Sequence, residues 1–392
     1  MAVKYNFDEY IIRKDTDCIK YDGMGDFYDA DNLLPMWIAD MDFKSPPCVS
    51  KVLRRRVEHE IYGYPIKSQS WEPAIISWLE RRYKWRVDYG QIGFVGGIVP
   101  ALAFVLDAFT QEGDTVLMQP PVYHPYHFVT RDLKRVPVVN PLKLVNGQYE
   151  IDFEDFQRKA SRSKVFFLCN PHNPGGRVWT YEELSRMAKI CAQYNVLVVS
   201  DEIHCDMTLK GYKHIPFATV SKEAEQNSIT LMAASKTFNI AGLKSSYHII
   251  PNDDIRERYA RFLRHRELDT AHLFATEAVA AAYNEGEEWL EQMLEYVEGN
   301  IDYMQEYLRT HMPRLDMIRP QASYLVFLDA RGLHMSDKEL MHFFTHEAGV
   351  AVSSGAMYGE GGSGFVRFNL GCPRLSLQRA LDRVKEAYDK LV

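Results

Sequence analysis

Lys236 has the setting in this sequence that most invites chemistry. It follows the apolar run Ile229–Ala233 and Ser235, and a tight passage through Gly242 then leads into a second apolar run. An ammonium at the end of a buried strand is costly to desolvate unless something consumes its charge. Condensation with an aldehyde cofactor to form a Schiff base is one such solution. The Ser-Lys dipeptide alone better fits a surface lysine opening a loop. Three further positions, Asp201, Asn173 and Arg367, reverse that reading.

Asp201 follows the apolar run Val196–Ser200, at the carboxyl end of a buried strand. Carboxylates are rarely buried unless paired. A protonated pyridine nitrogen would suit this one, because the pair makes the ring a strong electron sink; a helix N-cap is the simpler alternative. His204 either hydrogen-bonds a phenolic oxygen on the same ring or is a packed histidine. Asn173 lies in Asn170-Pro171-His172-Asn173-Pro174-Gly175-Gly176, directly after a strand ending at Cys169. Asn-Pro-Gly marks a turn anywhere, but at a strand's carboxyl end the amide can face a ligand. Gly96, Gly97 and Ile98 open a helix, where free backbone N–H groups favour a phosphate. Tyr123, in a Pro-rich loop just past another strand, either stacks on a flat ring or simply packs. Arg367 alternates with Val366 and Phe368 in Gly364–Leu370 and shares its face with Asn369. Such an arginine needs an anion: a bidentate substrate carboxylate or an internal salt bridge.

The elements that must hold these residues are legible as a rhythm. Short apolar runs recur at Thr115–Met118, Val136–Val139, Lys164–Cys169, Val196–Ser200, Ile229–Ala233 and Tyr247–Ile250. Several are too continuous for strands with one wet face. Between two of them a helix spans Tyr181–Tyr194, and Thr180 with Glu183 forms a capping-box sequence at its start. This is an α/β pattern with a mainly parallel sheet, whose ligands belong at the carboxyl ends of the strands. One long helical pattern runs from Gly286 to Met312, followed by alternating strands and helices, including a helix over Asp337–Glu347. The 392 residues exceed one ordinary core. The expected division is a large α/β domain over residues 49–286 and a smaller α+β domain from 1–48 and 287–392. The apolar segment Leu34–Phe43, with two aspartates and no period, should pack against the body. The Gly-rich stretch 359–364 reads as a mobile loop, not a phosphate cradle, since no helix follows it.

Composition narrows the classes. The chain is 46% hydrophobic and 25% charged, with formal net charge −7, which gives no support to nucleic-acid or anionic-membrane binding. With no signal-like N-terminus and no long apolar stretch, the cytoplasm is the expected compartment. The six cysteines have neither metal-type nor disulfide-framework spacing. His342 and His346 have i, i+4 spacing, but Phe343 stands where a zinc hydrolase needs glutamate. They read as ordinary helix-surface histidines.

Together these positions resemble the fold-type I pyridoxal-phosphate enzymes of the class I/II aminotransferase superfamily. The matching pieces are the 170–176 motif, Ser200-Asp201-Glu202-Ile203-His204, Ser235-Lys236-Thr237-Phe238-Asn239 and Arg367. Within it, Pro35–Phe43, Asp201–His204 and Phe365-Val366-Arg367 closing on Gly371-Cys372-Pro373-Arg374 look most like the cystathionine β-lyase-like C–S lyases. The resemblance implies pyridoxal 5'-phosphate as cofactor, with Lys236 forming the Schiff base and moving the Cα proton. It pairs Asp201 with the pyridine nitrogen and Asn173 with the ring oxygen. It stacks Tyr123 on the ring and gives the phosphate to Gly96, Gly97 and Ser235. Ile98, His204 and Lys244 complete the cofactor set. Arg367 takes the substrate carboxylate, with Ala39, Tyr123 and Asn173 also facing the substrate. It further implies a homodimer in which Tyr64 reaches the neighbour's phosphate.

Two positions depart from the family pattern, Ala233 where Ser or Thr is frequent and Lys244 where arginine is frequent. The implied activity is release of thiol, pyruvate and ammonia from cystathionine or another S-substituted cysteine. An aminotransferase using the same residues is the nearest alternative, and a non-catalytic regulatory or binding protein on this fold is the alternative from another class.

Overall fold

The structure is a computed structural model and describes residues 3–391. Its centre is a seven-stranded sheet. We label the strands β1 (Ile92–Val95), β2 (Thr115–Met118), β3 (Val136–Val139), β4 (Val165–Cys169), β5 (Leu197–Asp201), β6 (Ser228–Ala233) and β7 (Ser246–Ile249). Their spatial order is β1-β7-β6-β5-β4-β2-β3. All pairs are parallel except those made by β7, which runs against β1 on one side and β6 on the other. Every residue of β4, β5 and β6 is buried. That is why these strands read as unbroken apolar runs instead of alternating ones.

Helices cover both faces. Tyr181–Gln193 (α2) starts with the capping box foreseen from sequence: Glu183 N–H donates to Thr180 Oγ1, and Thr180 N–H donates to Glu183 Oε2 at 2.7 Å. Leu184, Met187, Ala188 and Cys191 form its buried stripe. Ile98–Phe109 (α1) begins directly after Gly96 and Gly97, with Pro100 in the first turn. A proline is tolerated there because that N–H has no intrahelical partner.

The 25-residue helix Glu287–His311 (α4) leads into a second, antiparallel sheet. Its strands are β8 (Asp316–Ile318), β9 (Leu325–Asp329), β10 (Ser353–Ser354) and β11 (Phe365–Asn369), in the order β8-β9-β11-β10. The N-terminal segment joins this C-terminal part: Leu34 and Pro35 pair in parallel with Val350 and Ala351. The Asn369 amide donates to the carbonyls of Ile38 and Asp40.

One expectation is corrected here. The helix expected over 337–347 is α-helical only for Asp337–His342 and widens to a π-turn at Phe343–Glu347. Phe343, Phe344 and Thr345 are consecutive and all buried, and the wider turn lets neighbouring side chains share the inner face. The rings of His342 and His346 stack with centroids 4.6 Å apart. The 359–364 stretch is a loop, as expected, with Glu360, Gly361 and Ser363 exposed and its end tied to the start of the next helix back. Ser363 Oγ and Gly364 N–H both donate to Asp337 at 2.8 Å. A side chain at Gly355 would meet the Gly362 carbonyl oxygen at 2.2 Å, so the glycines serve close backbone approach.

Candidate active site

Parallel strands deliver their ends to one edge of a sheet, and five site segments arrive that way. Gly96 and Gly97 follow β1, Tyr123 follows β2, Asn173 follows β4, Asp201 ends β5, and Ser235 with Lys236 follows β6. The antiparallel β7 brings its amino end to the same edge, which places Lys244 beside them. All of these residues, with Ile98, His204, Ala39 and Arg367, line a single cavity of about 810 Å³.

Lys236 sits in the short helix α3 (Ala234–Thr237), which begins where β6 stops. Its ammonium donates to the Ala39 carbonyl oxygen at 2.5 Å. Burial, reinforced by Arg367 and opposed by Asp40 and Asp201, pulls the Lys236 pKa down to about 8. That leaves about a tenth of it neutral at pH 7 and about half at pH 8, the form a nucleophilic or proton-accepting lysine needs. The helix is held by Asp206, buried behind it. Asp206 accepts from Thr237 Oγ1 and from Trp78 Nε1, each at 2.9 Å, and from the Tyr83 hydroxyl.

Asp201 is 2% exposed and lies inside β5, so the N-cap alternative is set aside. Its carboxylate accepts from Tyr126 Oη at 3.0 Å and from Ile203 N–H at 3.2 Å. Burial pushes its pKa up to about 6, against the pull of these donors. With no cation bonded to it, this carboxylate fits a protonated ring nitrogen. His204 is buried, and its Nδ1 has no partner. Burial, then Lys236 and Arg367, lowers its pKa to about 3, so it is a neutral imidazole.

Arg367 is 5% exposed, and its partners are neutral oxygens, not a carboxylate. Nη2 donates to the Trp37 carbonyl at 3.0 Å, Nη1 to Asn173 Oδ1 at 3.3 Å, and Nε has no partner. A buried guanidinium with spare donors facing a cavity fits an incoming carboxylate. The phosphate end fits as well. Gly97 has φ +154°, a conformation suited to glycine, and α1 carries neither a side-chain cap nor an acidic residue in its first turn. Its free N–H groups lie at the cavity edge with Ser235 and Lys244.

Tyr64 is fully exposed and lines no part of this cavity; it sits in a separate surface depression with Tyr62 and Phe274. Reading the sequence alone missed the ion cluster that sets the Ala39 carbonyl. Arg13 donates to Asp40 and Asp42, and the buried Lys20 donates to Asp42 at 3.0 Å and to the Asp40 carbonyl at 3.2 Å. The two aspartates inside an apolar segment were the available signal. Tyr126, the donor to Asp201, and the cavity-mouth residues Tyr28, Met341 and Met357 were also missed.

Comparison with known proteins bears directly on this geometry. Residues 34–384 match the family described as aminotransferase class I and II. Cystathionine beta-lyase PatB of Bacillus subtilis is 41% identical over 385 residues, covering 97% of this chain and 99% of that protein. Among solved structures, cystalysin from Treponema denticola, which contains a pyridoxal 5'-phosphate cofactor, superposes with TM-score 0.96 at 30% identity and covers all of both chains. The PLP-bound C–S lyase from Staphylococcus hominis, complexed with L-cycloserine, gives 0.92 at 33% identity over 99% of each chain.

Proposed function

From the premise that the chain belongs to the aminotransferase class I and II family, we propose that it is a pyridoxal 5'-phosphate-dependent C–S β-lyase. It releases thiol, pyruvate and ammonia from S-substituted cysteines. The observation that carries the proposal is the convergence of Lys236, Asp201, Asn173 and Arg367 on one cavity, with a lysine pKa of about 8. The full-length likeness to proteins described as C–S and cystathionine lyases supports elimination over transamination.

When bound, the cofactor supplies an electron sink for charge developing at the substrate Cα. Lys236 would hold it and, once free, would take the Cα proton on Nζ. Asp201 stabilises the cationic ring nitrogen, which in turn draws the carboxyl back to its ionised form. Asn173 would hydrogen-bond the ring oxygen, and Tyr123 would pack against the ring. His204 stays neutral and adds no charge beside it. Gly96, Gly97, Ile98, Ser235 and Lys244 hold the phosphate. Arg367 fixes the substrate carboxylate and so aligns the Cα–H bond with Lys236. The Cβ–S bond then breaks with both electrons leaving on sulfur as a thiolate. The released aminoacrylate takes up water and falls to pyruvate and ammonia.

The proposal includes a homodimer whose second subunit brings Tyr64 to the phosphate; its complete exposure in the single chain supports this. It also includes two domains, 49–286 and 1–48 with 287–392. The pairing of Leu34 and Pro35 with Val350 and Ala351 supports that division. Among the described residues no helix is long and apolar enough to cross a membrane, and cytoplasmic location is proposed on that basis together with composition. The test is incubation of the yellow holoenzyme with S-substituted cysteines and no keto acid. Steady release of thiol and pyruvate is expected. Turnover that requires a keto acid and leaves sulfur on the product would make it an aminotransferase.

A further inference from the structure

The cavity has two chemically different halves. The four charged side chains of the lining are Asp201, Lys236 and Arg367 on its floor and Lys244 at its exposed phosphate edge, and each is assigned to the cofactor or the substrate carboxylate. Toward solvent the lining continues through Ile19, Tyr28, Trp37, Ile38, Met341 and Met357 without one further acid or base other than histidine. The histidine on that side, His124, is partly buried, with its Nδ1 covered and unpartnered, and partial burial together with Arg367 lowers its pKa to about 4, which keeps it neutral.

We propose that this outer half is the binding site for the sulfur substituent and selects neutral, apolar thioethers over substituents carrying a second amino-acid head. The inference rests on the lyase reading of the same site. Cystathionine's distal ammonium and carboxylate would enter a space with no counter-charge, and burying unpaired charges is strongly unfavourable. Alkyl and aryl groups lose nothing there and gain from leaving water. Tyr28 and Trp37 pack edge to face at 5.1 Å, giving a rigid aromatic wall. The methionines opposite supply an adaptable one that accommodates varied shapes. The segment proposed to arrive from a second subunit, Ile61-Tyr62-Gly63-Tyr64-Pro65-Ile66, also brings no charge.

The test uses holoenzyme and a series of S-methyl-, S-ethyl-, S-propyl-, S-butyl- and S-benzyl-cysteine beside cystathionine, followed by thiol release. Each added methylene should raise kcat/KM about threefold to fourfold, and S-benzylcysteine should exceed cystathionine by at least tenfold. Met357→Lys, at a half-exposed position that tolerates charge, should flatten the alkyl gain and narrow the gap to cystathionine. Cystathionine being the best substrate, or an absent chain-length gain, would overturn the inference. A parallel series of unreactive 2-aminoalkanoic acids, read as spectral shifts of the bound cofactor, separates the two claims. If these acids bind more tightly with length while no thioether is cleaved, the pocket stands and the lyase reading fails.

Discussion

The floor and the mouth of the cavity are built on opposite plans. The floor is polar, buried and assembled from strand ends that succeed one another along the chain: 96–98, 123, 173, 201 and 235–236. The mouth is uncharged, apolar but for Ser353 and Ser354, and assembled from stretches more than 300 residues apart, 19–38 and 341–357. A charge on the floor carries a desolvation cost that only a ligand offsets, so substitutions there should have large and specific effects. Side chains at the mouth run from the buried Trp37 to the half-exposed Met357, and substitutions at its exposed rim should change which substrate wins and leave the fold intact.

The largest expected effect tests that asymmetry. Arg367→Ala should weaken binding of unreactive amino acids by about 2–5 kcal/mol, the usual cost of removing one partner of a buried charged hydrogen-bonded pair. The cofactor spectrum should stay in place. Met357→Ala at the mouth should cost less than about 1 kcal/mol, because 43% of the residue is already exposed. Titration of both variants with an amino acid lacking a leaving group measures the two effects. Equal losses would mean that Arg367 is a packing residue and that the floor has no privileged role in recognition.

The same contrast explains what was legible in the sequence. Asp201, Lys236 and Arg367 stand out because each places a charge in or beside an apolar run, a local conflict that points to a ligand. The parallel sheet was legible because full burial leaves unbroken apolar strands at β4, β5 and β6. The mouth gave no such signal, since Trp37, Ile38 and Met341 look like any core residue until the chain is folded. Nothing in the sequence around Arg13 and Lys20 marks them as partners of the Leu34–Phe43 segment. Only the approach of Asp40 and Asp42 turns them into the support for the Ala39 carbonyl. The widened turn at Phe343–Glu347 was hidden for a related reason, because helical spacing does not distinguish a π-turn from the α-helix it interrupts.

A middle-sized effect is expected at Asp201, and it has the opposite sign for stability and for function. In the cofactor-free protein its folded pKa, about 6, lies above the usual carboxyl value of 3.8. Below both values the carboxyl is protonated whether folded or unfolded, and no penalty exists. Between them the folded state holds a proton that the unfolded state releases, so stability falls as pH rises through this window. Above pH 6 the full cost, about 3 kcal/mol, is present. Asp201→Asn removes it but gives up one donor contact from Tyr126 or Ile203, worth about 1 kcal/mol. The cofactor-free variant should therefore be about 2 kcal/mol more stable than wild type at pH 8, an advantage that disappears near pH 4, while lyase turnover collapses. Urea unfolding at the two pH values decides it. A variant less stable at pH 8 would show that Asp201 is a structural residue.

The smallest effect concerns the phosphate end, where the chain departs from the pattern of the family it belongs to. Lys244 is exposed, has φ +52° and lines the cavity edge near the start of α1. An ammonium there acts as a point charge, whereas a guanidinium offers a planar fork that matches two phosphate oxygens. Screening by solvent limits the difference. Lys244→Arg should therefore tighten cofactor retention by a few-fold, less than about 1 kcal/mol. Ala233→Ser, at a position only 1% exposed, adds a hydroxyl whose gain depends on reaching the phosphate, since a buried hydroxyl without a partner costs about 1–3 kcal/mol. The expected order of cofactor affinity is Lys244→Arg above wild type, with Ala233→Ser below or equal to it. Dialysis against a carbonyl-trapping amine, followed by loss of the yellow absorbance, measures that order. If Ala233→Ser proves the tighter binder and Lys244→Arg has no effect, the phosphate lies against β6 and not at the exposed edge. The floor would then be more enclosed, and more unlike the mouth, than the cavity lining implies.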